Sequence, residues 1–298
     1  MEAQSFGDKH TIQKLKTVER YLQAYVTALK FQPFKLLYVD ACAGSGSSVP
    51  KGALEQWHPD QVPLDGISSP IADTDAIIVG SAIRALGVSP PFHKYLLNDV
   101  KQANVDALRQ SVRENFSEIA DRVELTTSDA NEMLQKLCSS QNWRETRAVV
   151  FLDPFGLQIN YDTLQLLGRT KAVDLWYLVP VFAMYRQISG DGQINADGGP
   201  RVDSALGTDA WRKIAVVEEA STDLFNQRHL RSRRAVDIAW FEKIAKERLG
   251  AAFGGRVLEE TLPLGRNGIQ EFSLMFAWAN PSDKAKKLAA KLAHAVLA

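Results

Sequence analysis

Five short apolar runs, separated by longer stretches with helical periodicity, constrain the fold of this chain more than any other feature of its sequence. The runs are Lys35–Val39, Tyr95–Leu97, Val123–Thr126, Ala148–Leu152 and Val173–Val181. Short runs of this kind are typical of strands that are buried on both faces. Strands that alternate with helices form a parallel sheet covered by helices on both faces. The sequence therefore predicts an α/β fold of the doubly wound type.

Helical patterns lie before and between these runs. Apolar positions recur at three- and four-residue steps from Ile12 to Leu29, which predicts a helix inside an N-terminal helical segment, residues 1–34. Further helices are predicted over Asp75–Leu86, over Asn104–Phe116 and around Met133–Leu137. Residues 47–73 are rich in Pro, Gly, Ser and Asp without a sustained period, so we expect a loop or lid insertion there.

The last third of the chain has a different pattern. Residues 183–250 begin with a Gly- and Asp-rich stretch and continue with a mainly helical pattern, which indicates a helical insertion after the fifth strand. Two β-like runs, Arg256–Leu262 and Glu271–Ala277, flank a turn with the dipeptide Asn-Gly and predict an antiparallel hairpin. Ser282 is placed to cap a closing helix that runs through Leu297. The predicted sheet thus has seven strands, most of them parallel.

Composition and charge exclude several classes of protein. Lys and Arg number 35, as do Asp and Glu, so no overall basic field draws the chain to nucleic acid or to an anionic membrane. The two cysteines cannot form a disulfide framework, and no apolar run reaches the roughly 18 residues of a membrane span. We therefore expect a cytoplasmic protein with no membrane contact, and a single domain over residues 1–298.

A glycine-rich turn follows the first predicted strand. Asp40 ends that strand, and the turn contains Ala41, Cys42, Gly44 and Gly46. In doubly wound sheets, ligands bind at the carboxyl ends of the strands, where glycines allow the backbone to approach the ligand closely. The turn matches neither the dinucleotide pattern G-x-G-x-x-G nor a Walker-type Gly-Lys-Ser, which disfavours a pyrophosphate ligand. A cofactor without phosphate, such as S-adenosylmethionine (SAM), fits better.

Acidic residues follow the next two predicted strands. Asp99, after Asn98, is placed to take the ribose hydroxyls of SAM, and Asp129, before Ala130, can accept a hydrogen bond from the adenine amine. Each acid alone is more simply explained as a helix N-cap or a turn residue. Three acids at the ends of three successive strands, Asp40 included, favour a SAM site.

These motifs, in this order, resemble class I SAM-dependent methyltransferases, whose first motif in nucleic-acid enzymes often runs Asp-x-x-Ala-Gly-Ser-Gly. More narrowly, nearly the whole chain is similar to the three-Cys-motif partner (TcmP) family. The similarity depends on Tyr21-Leu22, Gly80-Ser81-Ala82, Tyr95–Asp99 and, above all, the string Phe-Leu-Asp-Pro-Phe-Gly-Leu-Gln at 151–158. The resemblance implies a Rossmann-like class I methyltransferase fold with an antiparallel C-terminal strand. It also implies a partner protein that carries three cysteines.

The candidate catalytic residues follow the fourth predicted strand in the string Asp153-Pro154-Phe155-Gly156. In amino methyltransferases a comparable Asp/Asn-Pro-Pro-Tyr/Phe string holds the target amine with the acid and stacks the aromatic ring on the base. The resemblance assigns these roles to Asp153 and Phe155, although this chain has one Pro fewer. Transfer from a sulfonium is accelerated by alignment and needs no strong base. The alternative is a turn with Phe155 in the core.

Other reactive residue types indicate no further catalytic site. The histidines lack metal-ligand spacing, so we predict no metal; they are His10, His58, His93, His229 and His294. Cys42 and Cys138 are more typical of small buried residues than of nucleophiles. A local basic patch could bind phosphates, or could be the solvated face of a helix; it comprises Arg228, Arg231, Arg233 and Arg234.

Three functions are compatible with these features. The first is a SAM-dependent methyltransferase that acts on a nucleobase amine in nucleic acid, where a flipped or single-stranded base enters the pocket. The second is a methyltransferase-fold protein that binds a protein or nucleic-acid partner without turnover. The third is a nucleotide-binding hydrolase.

Overall fold

The computed structural model describes residues 9–46, 79–222 and 228–297, so the predicted loop or lid at 47–73 lies outside the described residues. Ten α-helices lie within these ranges. They are α1 (Lys9–Leu29), α2 (Ser81–Leu86), α3 (Gln102–Asn115), α4 (Ala130–Ser140), α5 (Tyr161–Arg169), α6 (Val181–Tyr185), α7 (Gly198–Leu206), α8 (Trp211–Ala215), α9 (Ile238–Ala252) and α10 (Asp283–Leu297). The predicted helices before the first strand and at the end of the chain correspond to α1 and α10.

Nine strands form two sheets in the described part of the chain. They are β1 (Lys35–Asp40), β2 (Lys94–Asn98), β3 (Val123–Thr126), β4 (Thr146–Leu152), β5 (Val173–Val179), β6 (Val216–Thr222), β7 (Arg228–Arg234), β8 (Leu262–Arg266) and β9 (Ile269–Trp278). Seven of them form the main sheet in the order β3-β2-β1-β4-β5-β9-β8. The first five are parallel, whereas β9 is antiparallel to both of its neighbours. The predicted mostly parallel, seven-stranded sheet is confirmed.

Apolar side chains cover both faces of this sheet because neighbouring residues of a strand point to opposite faces. One buried cluster includes Leu37, Val150 and Leu175 and packs against α4, α5, α7 and α9. The other includes Tyr38, Phe151 and Trp176 and packs against α1, α2, α3 and α10. The near-continuous apolar character of the strands therefore reflects burial on two sides. In the described ranges, no helix is long and apolar enough to cross a membrane.

The C-terminal hairpin is present, but its first strand begins later than predicted. Asn267 and Gly268 have φ angles of 51° and 77° and form the turn between β8 and β9. The predicted run Arg256–Leu262 is wrong as a strand: Val257 forms one isolated bridge, and β8 starts at Leu262. Glu259 and Glu260 are both exposed, so the alternation of buried and exposed residues that is typical of a strand is broken there. The chain does not pair with β9 at these positions.

The segment 183–250 contains a two-stranded sheet that the mainly helical pattern did not predict. After α7 and α8, strand β6 pairs with β7 in antiparallel register, and α9 follows. Val216 and Val217 begin β6, and β-branched residues favour an extended backbone. The arginine-rich run is therefore a strand, and the predicted helix face is wrong.

Candidate functional site

The turn after β1 needs glycine at position 46. Gly44 and Gly46 have φ angles of 62° and 82°, a region that other residues rarely adopt. A Cβ atom on Gly46 would lie 2.6 Å from Cδ2 of Leu108. The amide of Gly80, just before α2, donates to the Gly46 carbonyl at 2.8 Å. The turn is thereby held between α2 and α3.

Asp40 lies beneath this turn and is fully buried. Its carboxylate accepts hydrogen bonds from the Ser81 hydroxyl at 2.6 Å, the Tyr38 hydroxyl at 3.2 Å and the Cys42 amide at 3.3 Å. Burial raises the pKa of Asp40 to about 7, and the nearby charge of Asp153 raises it further, whereas the hydrogen bonds oppose the shift. Asp40 therefore supports the turn from below and carries a charge that depends on pH near neutrality.

Asn98 and Asp99 join the turn to the loops after β2 and β3. The Asn98 amide donates to the carbonyls of Ala41 and Ser128, each at 3.0 Å. Asp99 is 4% exposed, and its Oδ2 accepts from the Gly44 amide at 3.0 Å. Its Oδ1 accepts from the Lys101 amide and the Asn104 side chain. A carboxylate oxygen has two lone pairs, so Oδ2 can take one more donor.

Asp129 is the N-cap residue of α4. Its Oδ1 accepts from the amides of Asn131 and Glu132 at 2.8 and 3.3 Å, and from the Asn131 side chain. The helix-cap explanation is therefore correct for its structural role. All of these bonds use Oδ1, so Oδ2 is available to another donor, and Ala130 follows at the start of the helix.

Two cavities lie at the carboxyl ends of the parallel strands. The first, which we call the β2–β3 cavity, has a volume of about 580 Å³ and is lined by Ala41, Asp99, Val100, Asp129 and Ala130, among others. The second, the α1 cavity, has a volume of about 490 Å³ and is lined by His10, Lys14, Gly44, Gly46, Asp153 and the β8–β9 hairpin, among others. Cys42 and Phe155 line both cavities. The two spaces therefore adjoin at the turn after β1.

The catalytic candidates meet at the junction of the two cavities. Phe155 is 75% exposed, so the alternative that places its ring in the core is wrong. Pro154 beside it is buried. Asp153 forms an ion pair with Lys14 of α1, with 2.5 Å between Lys14 Nζ and Asp153 Oδ2. The sequence did not predict this pair, which occupies one oxygen of the proposed amine-binding carboxylate.

The carboxylates that end the four strands act together on the Cys42 thiol. Burial is the largest cause that raises the pKa of Cys42, and the charges of Asp40, Asp153, Asp99 and Asp129 raise it further. The thiol therefore stays protonated at neutral pH, which disfavours a nucleophilic role. The same four carboxylates create a negative field at the junction of the cavities, which favours a positively charged ligand.

Sequence patterns missed three residues at these cavities. His10 and Lys14 are one turn apart on α1, and both line the α1 cavity. Val100 lines the β2–β3 cavity and is 67% exposed, unusually open for an apolar side chain. The position of Val100 directly after Asp99 could have predicted its place at the cavity. No local pattern indicated that α1, with His10 and Lys14, lies over the end of β4. Among the described residues, no cluster of His, Cys, Asp or Glu is arranged to hold a metal ion.

Successive side chains of β7 point to opposite faces of the strand, which divides the basic patch. Arg231 and Arg233 are exposed, and Arg233 forms an ion pair with Glu219 on β6. Arg234 points to the other side, where its guanidinium lies 3.8 Å from the Tyr185 ring and donates to the Ile188 carbonyl. Arg228 is paired through the backbone with Thr222 at the other end of the strand. Arg234 therefore does not share a surface with the exposed Arg231 and Arg233.

The strand order defines the class of protein. A parallel sheet in the order β3-β2-β1-β4-β5, extended by an antiparallel β9 and then β8, is the class I methyltransferase fold. A glycine-rich turn after β1 with acids after β2 and β3 is where that fold carries its cofactor site. The chain has this Rossmann-like methyltransferase fold.

Comparisons with known proteins give structural neighbours of low sequence identity. No protein-family model and no curated protein matches the chain. Protein LPL1258 from Legionella pneumophila is 15% identical, with a TM-score of 0.41 over 84% of this chain and 94% of its own. A methyltransferase from Geobacter sulfurreducens is 15% identical, with a TM-score of 0.33 over 76% and 80% of the two chains. The glycopeptide N-methyltransferase MtfA, complexed with SAM, is 10% identical, with a TM-score of 0.32 over 87% and 93%.

Proposed function

We propose that the protein binds SAM across the two cavities and transfers its methyl group to a nucleobase amine in nucleic acid. The observation that carries this proposal is the convergence of four carboxylates, from the ends of β1 to β4, where the two cavities adjoin. Asp99 and Asp129 line the β2–β3 cavity, and Asp153 lines the α1 cavity. Asp40 supports the turn between them. SAM carries a positive sulfonium, and nearby carboxylates stabilise such a charge. The same field disfavours a pyrophosphate group.

The adenosine moiety fits the β2–β3 cavity by its hydrogen-bonding groups. Oδ2 of Asp99 can accept from a ribose hydroxyl, and Oδ2 of Asp129 can accept from the adenine amine. Val100 and Phe155 both line this cavity and are largely exposed, so they can cover an apolar ring. Binding of adenosine would remove both side chains from water, which explains why such large apolar groups are exposed.

The methyl acceptor would enter the α1 cavity. Lys14 holds Oδ2 of Asp153, so the target amine would donate to Oδ1, while the exposed Phe155 ring stacks on the base. His10 and Lys14 would lie close to the same base, because both line this cavity. Arg231 and Arg233 would contribute phosphate contacts outside the pocket in a salt-dependent manner.

A second function is favoured by one specific observation. The Lys14–Asp153 ion pair occupies the carboxylate that a target amine requires, as is expected if the pocket performs no transfer. The alternative proposal is therefore a protein of the TcmP family in the cytoplasm that binds a three-cysteine partner or nucleic acid, with SAM as a structural or regulatory ligand.

Titration calorimetry with SAM tests cofactor binding. We expect micromolar or tighter binding to the wild-type protein. Asp99→Asn should weaken it by about tenfold or more, because a charged acceptor is lost. Asp106→Asn is the matched control, since Asp106 is an exposed residue of α3 that lines neither cavity. Absence of binding to the wild-type protein would refute both versions of the proposal.

Methyl transfer separates the two versions. Radiolabelled SAM is incubated with the protein and, separately, with total RNA, single-stranded DNA, double-stranded DNA and cell protein. Transfer to a nucleic acid that disappears in Asp153→Asn, at SAM concentrations that saturate both proteins, supports the first function. SAM binding without transfer to any pool supports the alternative.

A further inference from the structure

A third cavity lies at the opposite edge of the sheet, beside the amino ends of β4 and β5. Its volume is about 430 Å³, and it lies between α1, α10 and the sheet. We call it the α10 cavity. Its walls are largely apolar and include Leu29, Phe34, Leu288 and Leu292. None of its lining residues lines the α1 cavity or the β2–β3 cavity.

A half-buried carboxylate forms one pole of this cavity. Asp174 is the second residue of β5 and lines the cavity within an otherwise apolar strand. Its Oδ2 accepts a hydrogen bond from the Tyr21 hydroxyl at 2.7 Å, and no described group donates to Oδ1. Burial raises the pKa of Asp174 to about 7. A carboxyl group in this setting is costly unless a donor completes its hydrogen bonds.

The cationic pole of this cavity is formed by Arg147 on the neighbouring strand β4. Arg147 of β4 stacks over the Phe34 ring at 3.9 Å, and its Nη1 donates to the carbonyls of Trp143 and Thr146. Neither Nε nor Nη2 of Arg147 donates to any described residue. Arg147 and Asp174 form no ion pair with each other, although the charge of Arg147 lowers the pKa of Asp174. The two groups are therefore close enough to interact but leave space between them.

The first turn of α10 adds to the cationic pole. Ser282 accepts a hydrogen bond from the Ala285 amide and caps the helix, and both residues line the cavity with Lys284. The amino end of a 15-residue helix carries a partial positive charge that favours an anion. The cavity thus has a carboxylate at one place, cationic groups at another, and apolar walls between α1 and α10.

We propose that the α10 cavity binds a free α-amino acid with an apolar side chain. The ammonium group would donate to Oδ1 of Asp174, and the carboxylate would accept from Arg147 near the start of α10. The apolar side chain would pack against Leu288 and Leu292. A simple amine would leave the cationic pole without a partner, and a simple acid would leave the Asp174 carboxylate without a donor. A volume of about 430 Å³ accommodates any one amino acid of this kind.

The test measures thermal unfolding of the full chain with leucine, methionine and phenylalanine at about 10 mM. Binding with a Kd of about 1 mM should raise Tm by roughly 2 °C. Two analogues of leucine each lack one pole: isoamylamine has no carboxylate, and 4-methylpentanoate has no amine. Each should bind about tenfold or more weakly than leucine in titration calorimetry. If none of the three amino acids raises Tm, the proposal is overturned. Equal affinity for leucine and the two analogues also overturns it.

Variants of both poles locate the site. Asp174→Asn and Arg147→Met should each lower leucine affinity by about tenfold or more. Asp106→Asn is the matched control and should leave it unchanged. Ala285→Leu narrows the cavity and keeps both charged groups, so it should also abolish leucine binding. This variant tests the site even if a pole variant fails to fold. Unchanged leucine affinity in any folded pole variant or in Ala285→Leu overturns the proposal. SAM binding should be unaffected throughout, because that site is at the other edge of the sheet.

Discussion

Binding of SAM should release protons from Asp40, and the number released measures how closely the cofactor charge approaches β1. Burial holds the pKa of Asp40 at about 7, so about half of the molecules carry a proton on this group at pH 7. A bound sulfonium favours the ionised carboxylate and lowers its pKa. If the pKa falls by one unit or more, nearly all of that half proton leaves, so we expect about 0.4 to 0.5 proton released per SAM.

The same shift has a consequence for stability. The pKa of Asp40 rises from 3.8 in the unfolded chain to about 7 in the folded protein. The folded state therefore binds more protons than the unfolded state between these two values, and the free energy of unfolding falls as pH rises through this window. A difference of roughly 3 pH units at about 1.4 kcal/mol each gives up to about 4 kcal/mol. Asp174 has the same shift and should contribute a similar fall.

Calorimetry in several buffers of different ionisation enthalpy measures proton release, because the observed heat varies linearly with that enthalpy. Asp40→Asn should still bind SAM, since Asp40 lines neither cavity directly, but the proton release should disappear. Asp174→Asn is the matched control: it removes a carboxylate with the same pKa at the opposite edge of the sheet and should keep the release. A wild-type release of zero, or an unchanged release in Asp40→Asn, would show that the cofactor charge does not reach β1.

Three further predictions follow from contacts around the site. Arg84→Met should lower the free energy of unfolding by about 3 to 5 kcal/mol in urea titrations, because it removes the guanidinium that lies 2.8 Å from the fully buried Glu19 carboxylate. A smaller loss is expected in Glu19→Gln/Arg84→Met. Gly46→Ala should lower the free energy of unfolding by about 2 to 4 kcal/mol, because of the positive φ at this position and the contact with Leu108. It should also weaken SAM binding in calorimetry, and an unchanged affinity would contradict our placement of the cofactor. Phe155→Ala should change the free energy of unfolding by no more than about 0.5 kcal/mol, since the ring is exposed. It should nevertheless reduce methyl transfer, and normal transfer would exclude a stacking role.

Much of the fold follows from local patterns in the sequence. The five parallel strands and the helices α1, α3, α4 and α10 were predicted because burial on one or two faces leaves a periodic trace in the apolar positions. The positions of Asp40, Asp99, Asp129 and Asp153 at one edge follow from the same reasoning, since the carboxyl ends of parallel strands meet there. The turn after β1 was predictable because glycine adopts its positive φ angles far more readily than other residues do.

Only the tertiary structure decided which distant groups meet. Lys14 and Asp153 are 139 positions apart, and their ion pair depends on how α1 docks over the end of β4, which no local pattern encodes. The β6–β7 hairpin was missed because its charged, solvent-exposed residues carry no burial pattern that distinguishes a strand from a helix. Asp174 lies inside an apolar run and suggested only a buried strand. Its importance became visible when packing placed it beside an open cavity with Arg147, because the cost of a buried charge depends on its surroundings.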